Sequence, residues 1–441
     1  MDFTKLVKEC NKNNIFDVEY AEEFRDNDSF ALFDGVIDEQ KTFTTTFGNV
    51  RAKVGEKVVS YYVENMLDDN ISHIVSSLKK MAEVIDQNSN AIMHNDTKEV
   101  FVFDNEINDF SKYSKADKVN YFINLTKKIK DTSIYCSHVR ISYVEACEKK
   151  TIKNSNGLNK SHGFNFASLM VQAVVSKDND SRASYYAIDL KNFKDINVDE
   201  IIKETVLEAL NQIGAKSIES KNYKVVLKNT CMITLLNAFK NQFSSDAVRK
   251  NMSAFDKSEG KQIFGKNVNL IDDPYKDEFN HVPFDDEGVD TFKKYVVKDG
   301  VLSTFLYNLD TATEAKRKST GNGFKSNGIK GNVGVGPSNL YFKEGNKTLE
   351  ELFSDVENGV YITNFQGAHA GINAASGDFN LQSSGYLIEN GKLGRPVTLI
   401  ITSGNFFDMM NHVVESANDL KFMFGCGASS TYIEKLNISG K

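Results

Sequence analysis

Tryptophan is absent from this 441-residue chain, and proline occurs only four times, each after residue 270. The uneven placement marks a change of character between the two halves and a boundary ahead of residue 270. Cysteine is scarce too: Cys10, Cys136, Cys147, Cys231 and Cys426 form an odd, scattered set without a CxxC pair. That excludes a zinc ribbon or a dithiol redox motif and reads as reduced thiols in a cytoplasmic protein. No apolar run reaches the ~18 residues that a membrane span requires, and the opening MDFTKLVKECNKN has no signal-peptide core, so the chain reads as soluble and unexported. An excess of positive charge is also missing. The 53 basic against 60 acidic residues give a formal net charge of −7, the wrong sign for a chain that neutralises nucleic-acid phosphates.

The histidines are seven, His73, His94, His138, His162, His281, His369 and His412, and no two lie within eight residues of each other. A zinc peptidase helix needs two imidazoles one turn apart with a nearby glutamate, so HExxH and HExxxH are both excluded. Nor is there a GxSxG nucleophile motif. Cys426 reads as a structural thiol, because no histidine pair accompanies it.

What is present suits an α+β fold. The length exceeds what one hydrophobic core serves, and 40% hydrophobic residues are ample for two. Phe3, Leu6, Val7 and Cys10 recur at helical spacing. Period-two alternation then runs from Asp17 to Val63 with turns at Asp34-Gly35 and Gly55-Glu56. Helices are expected over Asp68–Ile85, capped by side chains of residues 68–70, over about 115–129, and over Val198–Ile213. Strands are expected at about 134–148, 163–176 and 182–190. Helix, strands and helix thus occur twice, which suggests an internal duplication and antiparallel sheets. A strand over Lys221–Lys228 and helical sequence over Cys231–Phe255 follow. Beyond Gly265 the pattern is mostly strand and turn, with hairpins around Asp299-Gly300 and Asn390-Gly391. Thr348 and Glu351 have capping-box spacing ahead of a helix that ends at Asn358-Gly359, and Phe406–Asn418 is expected as another helix. The predicted division is an N-terminal α+β domain over 1–215 and a β-rich antiparallel C-terminal domain over 216–441.

Seven carboxylates crowd the twenty residues NLIDDPYKDEFNHVPFDDEG from Asn269 to Gly288: Asp272, Asp273, Asp277, Glu278, Asp285, Asp286 and Glu287. Pro274, Pro283 and Gly288 interrupt regular structure, and composition alone reads as a solvated acidic loop. Its spacing lacks the alternating pattern of a calcium loop, and His281 within it reads as a solvated loop histidine. Phe284 and Val289 flank the second acidic cluster, so at least one of Asp285, Asp286 and Glu287 should be anchored rather than solvated. Downstream, Gly321–Gly336 (GNGFKSNGIKGNVGVG) lacks the G-K-[ST] ending and the strand-to-helix context of a phosphate loop. It reads as a mobile loop or as a backbone-rich groove wall that an extended peptide could approach.

After the acidic stretch come Lys298-Asp-Gly-Val-Leu302, Ser319-Thr-Gly-Asn-Gly323, Pro337-Ser-Asn-Leu340, Glu357-Asn-Gly-Val-Tyr-Ile362, Ser376-Gly-Asp-Phe379 and Ser384-Gly-Tyr386. In this order and spacing the series resembles the TldD/PmbA family, once called modulators of DNA gyrase and regarded as subunits of a cytoplasmic metalloprotease. The resemblance is clearest from about Gly260 to Gly404. In the catalytic TldD branch the metal-binding HExxxH lies on a helix just before the acidic loop. The comparable stretch here, about Leu235–Ala254, carries Asn237, Lys240, Asn241, Gln242 and Lys250 and no histidine. The resemblance therefore implies the other branch, TldE (PmbA): no cofactor in this chain, zinc only in a TldD-type partner, and unfolded or extended peptides as substrate. The alternative it leaves is a stand-alone homodimeric peptide-binding protein without catalysis. Groove or interface residues would be Asp272, Asp273, Asp285, Asp286, Glu287, Gly288, Ser319, Thr320, Gly321, Asn322 and Gly323. No nucleic acid and no membrane is expected as a partner.

Overall fold

The computed structural model describes residues 1–64, 67–86, 89, 93–96, 99–104 and 110–441. The chain divides into two compact units. Unit 1 comprises Met1–Ile213, Asp286–Gly288 and Lys325–Asn332; unit 2 comprises Gly214–Asp285, Val289–Phe324 and Val333–Lys441. The fold is α+β, with mainly antiparallel sheets in both halves.

Unit 1 opens with α1 (Phe3–Lys12), β1 (Asp17–Phe33), β2 (Val36–Val54), β3 (Lys57–Val63) and α2 (Ile71–Val84). After β4 (Val100–Asp104) come α3 (Lys115–Asp131), β5 (Cys136–Asn154), β6 (Asn159–Lys177), β7 (Asp180–Leu190), α4 (Val198–Ile202) and α5 (Glu208–Asn211). A π turn over Lys203–Leu207 joins the last two into the one helix that the periodicity predicts. The strands form one seven-stranded sheet in the order β3-β2-β1-β5-β6-β4, with β7 also on β6. Each half of unit 1 is a helix, an antiparallel meander and a helix, as a duplication would give, and the central pair β1–β5 is antiparallel. One expectation fails locally. Neither Asp68 nor Asn70 caps α2; the Asp68 carboxylate instead accepts from the backbone N–H of Asp2 at 2.7 Å and from Lys5 Nζ at 2.6 Å, beside the start of α1.

The sheet has two chemically different faces because side chains alternate along a strand. Val18, Tyr20, Val50, Ala52 and Val59 are buried with residues of α1 and α2 in one core. Phe30, Leu32, Val139, Ile141 and Leu169 are buried with residues of α3, α4 and α5 in another. Residues of the opposite parity form polar rows across the strands. Arg51 stands opposite Glu19 and Glu19 opposite Asn154; Glu23 stands opposite Lys150 and Lys150 opposite His162.

Unit 2 runs β8 (Lys221–Leu227), α6 (Asn229–Phe239), α7 (Ser245–Arg249), β9 (Leu270–Asp272), β10 (Lys294–Lys298), β11 (Val301–Leu302) and α8 (Leu309–Glu314). A hairpin of β12 (Gly323–Ile329) and β13 (Val333–Val335) follows, with its tip belonging to unit 1. Then come β14 (Leu340–Phe342), α9 (Leu349–Val356), β15 (Gly359–Gln366), α10 (Ala368–Gly371), β16 (Asp378–Glu389), β17 (Lys392–Asn405) and α11 (Phe406–Met409). The chain closes with β18 (Val413–Ser416), β19 (Lys421–Met423), β20 (Cys426–Ala428) and β21 (Thr431–Ser439). One sheet has the order β11-β10-β9-β14-β20-β19. The other has β17-β16-β15-β8-β21-β18, and an added β17–β21 pairing at Ile401–Ser403 closes five of its strands on themselves, which covers part of the β17 edge. Helix α6 is buried on nearly every side, with Cys231, Met232, Ile233, Leu235, Leu236 and Phe239 all in the core of unit 2.

Three sequence expectations are corrected in unit 2. The helical stretch Cys231–Phe255 breaks after Phe239 into a 3₁₀ turn, and α7 restarts where Ser244 accepts N–H bonds from Asp246 and Ala247. The helix expected over Phe406–Asn418 stops at Met409, because Val413–Ser416 is claimed by pairing with β21. Its Phe and Met residues are core all the same: Phe406, Met409 and Met410 are buried and Phe406 stacks on Phe239 at 4.5 Å. Finally, Gly321–Gly336 is not a loop but largely the β12–β13 hairpin.

Candidate functional site

Five of the seven acidic side chains of 269–288 are buried, against the reading from composition: Asp272, Asp273, Asp285, Asp286 and Glu287. The stretch also contains a strand, β9, central in its sheet. A buried carboxylate is tolerable only when donors replace the water it loses. Asp272, fully buried, has five. Its Oδ1 accepts from Ser338 N (2.9 Å), Ser338 Oγ (2.8 Å) and Asn339 N (3.0 Å); its Oδ2 accepts from Lys294 Nζ (3.0 Å) and Asn322 Nδ2 (2.8 Å). Asp273 caps Tyr275 N at 3.2 Å and pairs with Lys293 at 3.1 Å. Asp285 accepts from Val289 N (3.0 Å) and Gly323 N (2.8 Å). Asp277 is half-buried and Glu278 exposed, and His281 stands edge-on to Tyr275.

The Ser319–Gly323 motif is a compact hydrogen-bonded turn in unit 2. Thr320 Oγ1 accepts from Tyr307 N (2.7 Å) and donates to Asn322 Oδ1 (2.7 Å), while Ser319 Oγ accepts from Gly321 N (3.2 Å). Asn322 also donates to Gly336 O at 2.9 Å, so one carboxamide joins Asp272 to the hairpin base. Gly321 has φ +68, and a Cβ there would lie 2.6 Å from Asp290 O, which requires glycine.

The next residues are fastened within unit 1. Asp286 Oδ2 accepts from Lys325 N at 2.7 Å, and its Oδ1 pairs with Lys150. Glu287 Oε1 accepts from Arg51 Nη1 at 2.9 Å, while Arg51 Nη2 donates to Glu19 Oε2 at 2.9 Å; all three side chains are at most 5% exposed. Burial opposes the charge on Arg51, but the two carboxylates outweigh it and raise its pKa. Gly288 O accepts from the fully buried Lys160 Nζ at 2.8 Å. At Gly288 φ is +77 and a Cβ would meet Leu158 Cδ2 at 2.4 Å, so a side chain is excluded twice over. The hairpin tip joins this polar face as well, with Asn49 Nδ2 donating to Ile329 O at 3.0 Å. The predicted anchoring of Asp285, Asp286 and Glu287 is thus found for all three.

Lys325, missed by the sequence reading, is buried on this face, and desolvation lowers its ammonium pKa to about 8 despite Glu19, Glu23 and Glu287 nearby. Because the unfolded lysine titrates near 10.5, the native state loses its proton first, and stability rises as pH climbs from about 8 toward 10.5. Denaturant unfolding at neutral and alkaline pH should show that rise, up to about 3 kcal/mol, relative to Lys325→Met, which lacks the group. Equal pH dependence in both proteins would refute the assignment.

Cys426 and the helix region before the acidic stretch do come together: Cys426 Sγ lies 3.9 Å from Asn237 Oδ1. Burial pushes the Cys426 thiol up to about 11, so it is a thiol and not a thiolate. Gln242 is committed elsewhere, donating to Met252 O (3.2 Å) and Ala374 O (2.7 Å) and accepting from Ala254 N (2.6 Å). Among the described residues no group of three or more His, Cys, Asp or Glu side chains is arranged to hold a metal ion, and no helix is long and apolar enough to cross a membrane.

Residues 220–440 match the family model described as the PmbA/TldA metallopeptidase C-terminal domain, and residues 108–213 match the central domain of the same family. A metalloprotease of Methanocaldococcus jannaschii is 25% identical over 425 residues, covering 92% of this chain and 90% of that protein. The metalloprotease PmbA homolog of Buchnera aphidicola is 24% identical over 274 residues, 60% of this chain and only 58% of its own length. Among solved structures, one described as a modulator of a DNA gyrase from Thermotoga maritima superposes with a TM-score of 0.88 at 28% identity, over 99% of both chains. TldE from Thermococcus kodakarensis shares the fold, with a TM-score of 0.84 at 17% identity over 99% of both chains. The motif series read from the sequence and the two domain models agree, and the chain belongs to the PmbA/TldD metallopeptidase family.

Proposed function

We propose that this chain is the TldE (PmbA)-like subunit of a cytoplasmic TldD/TldE-type zinc metalloprotease, working beside a TldD-type chain on unfolded or extended peptides. The observation that carries this reading is the pairing of Asn237 with the Cys426 thiol. A carboxamide beside a single cysteine, with Gln242 turned to backbone groups, does not make up the three or four convergent imidazole, thiolate or carboxylate ligands that zinc takes. No catalytic step is therefore assigned to this chain. Its contribution is framing within each unit: in unit 2 Asp272 and Asp285 hold Asn322 and Gly323 of the 319–323 turn, and in unit 1 Asp286 and Glu287 are tied to Lys325 and Arg51 beside Gly288, each as a groove wall or subunit face. The carboxylates themselves are spent on internal donors.

Co-expression with a tagged TldD-type chain tests this. We expect a stable complex, chelator-sensitive peptidase activity in the mixture, none in this chain alone, and full activity when this chain carries Cys426→Ala. About one zinc retained per isolated chain would overturn the reading, as would peptidase activity of that chain.

A further inference from the structure

The polar face of the unit 1 sheet carries more rows than the Arg51 and Lys150 clusters use. Beyond them, Thr45 of β2, Arg25 of β1, Glu148 of β5 and Phe164 of β6 stand in one cross-strand row. Two carboxylates there are poorly committed. Glu148, its side chain 22% exposed, has one ion pair among the described residues, with Arg25 Nη1 at 3.1 Å. Glu23, half-buried in the row before, makes no hydrogen bond or ion pair among the described residues, and Lys325 acts on it only from a distance. The two are diagonal neighbours on adjacent antiparallel strands, about 7–8 Å apart, so one cation can reach both. Burial raises the Glu148 pKa and Glu23 adds to the rise, while Arg25 and Lys150 oppose it. A further cation beside the pair would offset both causes of the rise.

The rings on this face already meet cations. Lys330, exposed at the β12–β13 hairpin tip, lays its Nζ over Phe47 at 5.2 Å and Tyr62 at 4.8 Å, and the Arg25 guanidinium lies 5.8 Å over Phe166. Phe164, directly across from Glu148, has no lysine or arginine over its ring among the described residues. A cation at Glu148 therefore gains a ring as well as a carboxylate. Arg25 Nε and Thr45 Oγ1, which stand opposite each other, are buried without a hydrogen-bond partner. Unpaired buried polar atoms are costly, and a peptide unit, which offers both an N–H and a C=O, relieves them once the partly exposed Arg25 side chain shifts. A metal ion or a simple amine would use the carboxylates and leave those two atoms unpaired. We propose that this part of the face is a subsite for a lysine or arginine side chain of an extended peptide, its charge held by Glu23 and Glu148 against the Phe164 ring. The proposal rests on the peptide reading above and adds the class of side chain.

Fluorescence anisotropy on the full chain by itself tests it, with short, labelled, unstructured peptides that differ at one central residue. The lysine and arginine peptides should bind at least about tenfold tighter than the norleucine peptide, and the glutamate peptide most weakly. Glu148→Gln and Glu23→Gln should each cut the lysine-over-norleucine ratio about threefold, and the double variant should bring it close to one. Carbodiimide coupling on the unaltered chain gives a reading that depends on no variant folding: the lysine peptide should be joined to Glu23 or Glu148, as mass spectrometry of the digest would show. Equal affinity for the lysine and norleucine peptides overturns the proposal and leaves the peptide reading standing. A chain that binds none of the peptides overturns both. A lysine preference that neither glutamine variant alters, or coupling only at other carboxylates, overturns the site.

Discussion

Arg51→Met should lower the stability of unit 1 by about 3–5 kcal/mol, the cost of removing one member of a buried ion cluster and stranding the rest. Glu19 and Glu287 would then face each other in the interior without the guanidinium that now donates to both at 2.9 Å. The loss is not a measure of what the cluster adds over an apolar core, because buried ion pairs roughly break even against well-packed hydrophobic replacements. Glu287→Ala should cost less than Arg51→Met, since Glu19 still accepts from Arg51. Denaturant melts followed by a probe in unit 1 check both. A change within about 0.5 kcal/mol, the range of surface substitutions, would mean that the cluster is not formed.

Asp272→Ala should be the most damaging single change in unit 2, at more than about 3 kcal/mol, because hydrogen bonds to a charged group contribute ~1.5–3 kcal/mol each and five donors lose their acceptor together. Lys294, 8% exposed, would be left buried without the carboxylate it now meets at 3.0 Å. Asp285→Ala removes the acceptor of the Val289 and Gly323 backbone N–H groups and should fall between. Asp277→Ala and Glu278→Ala in the same stretch should stay within about 0.5 kcal/mol. The ranking is the test. If Asp272→Ala melts with Glu278→Ala, the buried network described around Asp272 is wrong.

Local chemistry was the most legible layer of this sequence. Asp34-Gly35, Asp299-Gly300 and Asn390-Gly391 all take positive φ at both residues, as two-residue hairpin turns require, and each was readable from the dipeptide alone. Thr348 and Glu351 make both bonds of the predicted capping box. Where tertiary pairing decides, the local reading failed. The Phe406 stretch has helical periodicity, yet Val413, Glu415 and Ser416 pair with β21, with a bulge at Val414. The acidic stretch is the larger case. Its charge density says solvent. The donors that bury it sit far away in sequence: Ser338 and Asn339 for Asp272, Arg51 for Glu287, Lys150 for Asp286. Only the flanking Phe284 and Val289 hinted at anchoring. The Asn237–Cys426 contact was equally hidden, since it joins α6 to β20 across 189 positions.

The make-up of unit 1 bears on how this protein is born. Its first 213 residues leave the ribosome with the Glu19–Arg51 pair one carboxylate short and with Asn49 lacking the carbonyl of Ile329. Those acceptors arrive only after much of unit 2 has been synthesised, and contacts of such sequence separation slow folding because the loop must close before they form. The N-terminal half therefore waits, its apolar cores able to collapse under their helices while one polar sheet face stays unfinished. A fragment ending at Ile213 would wait indefinitely.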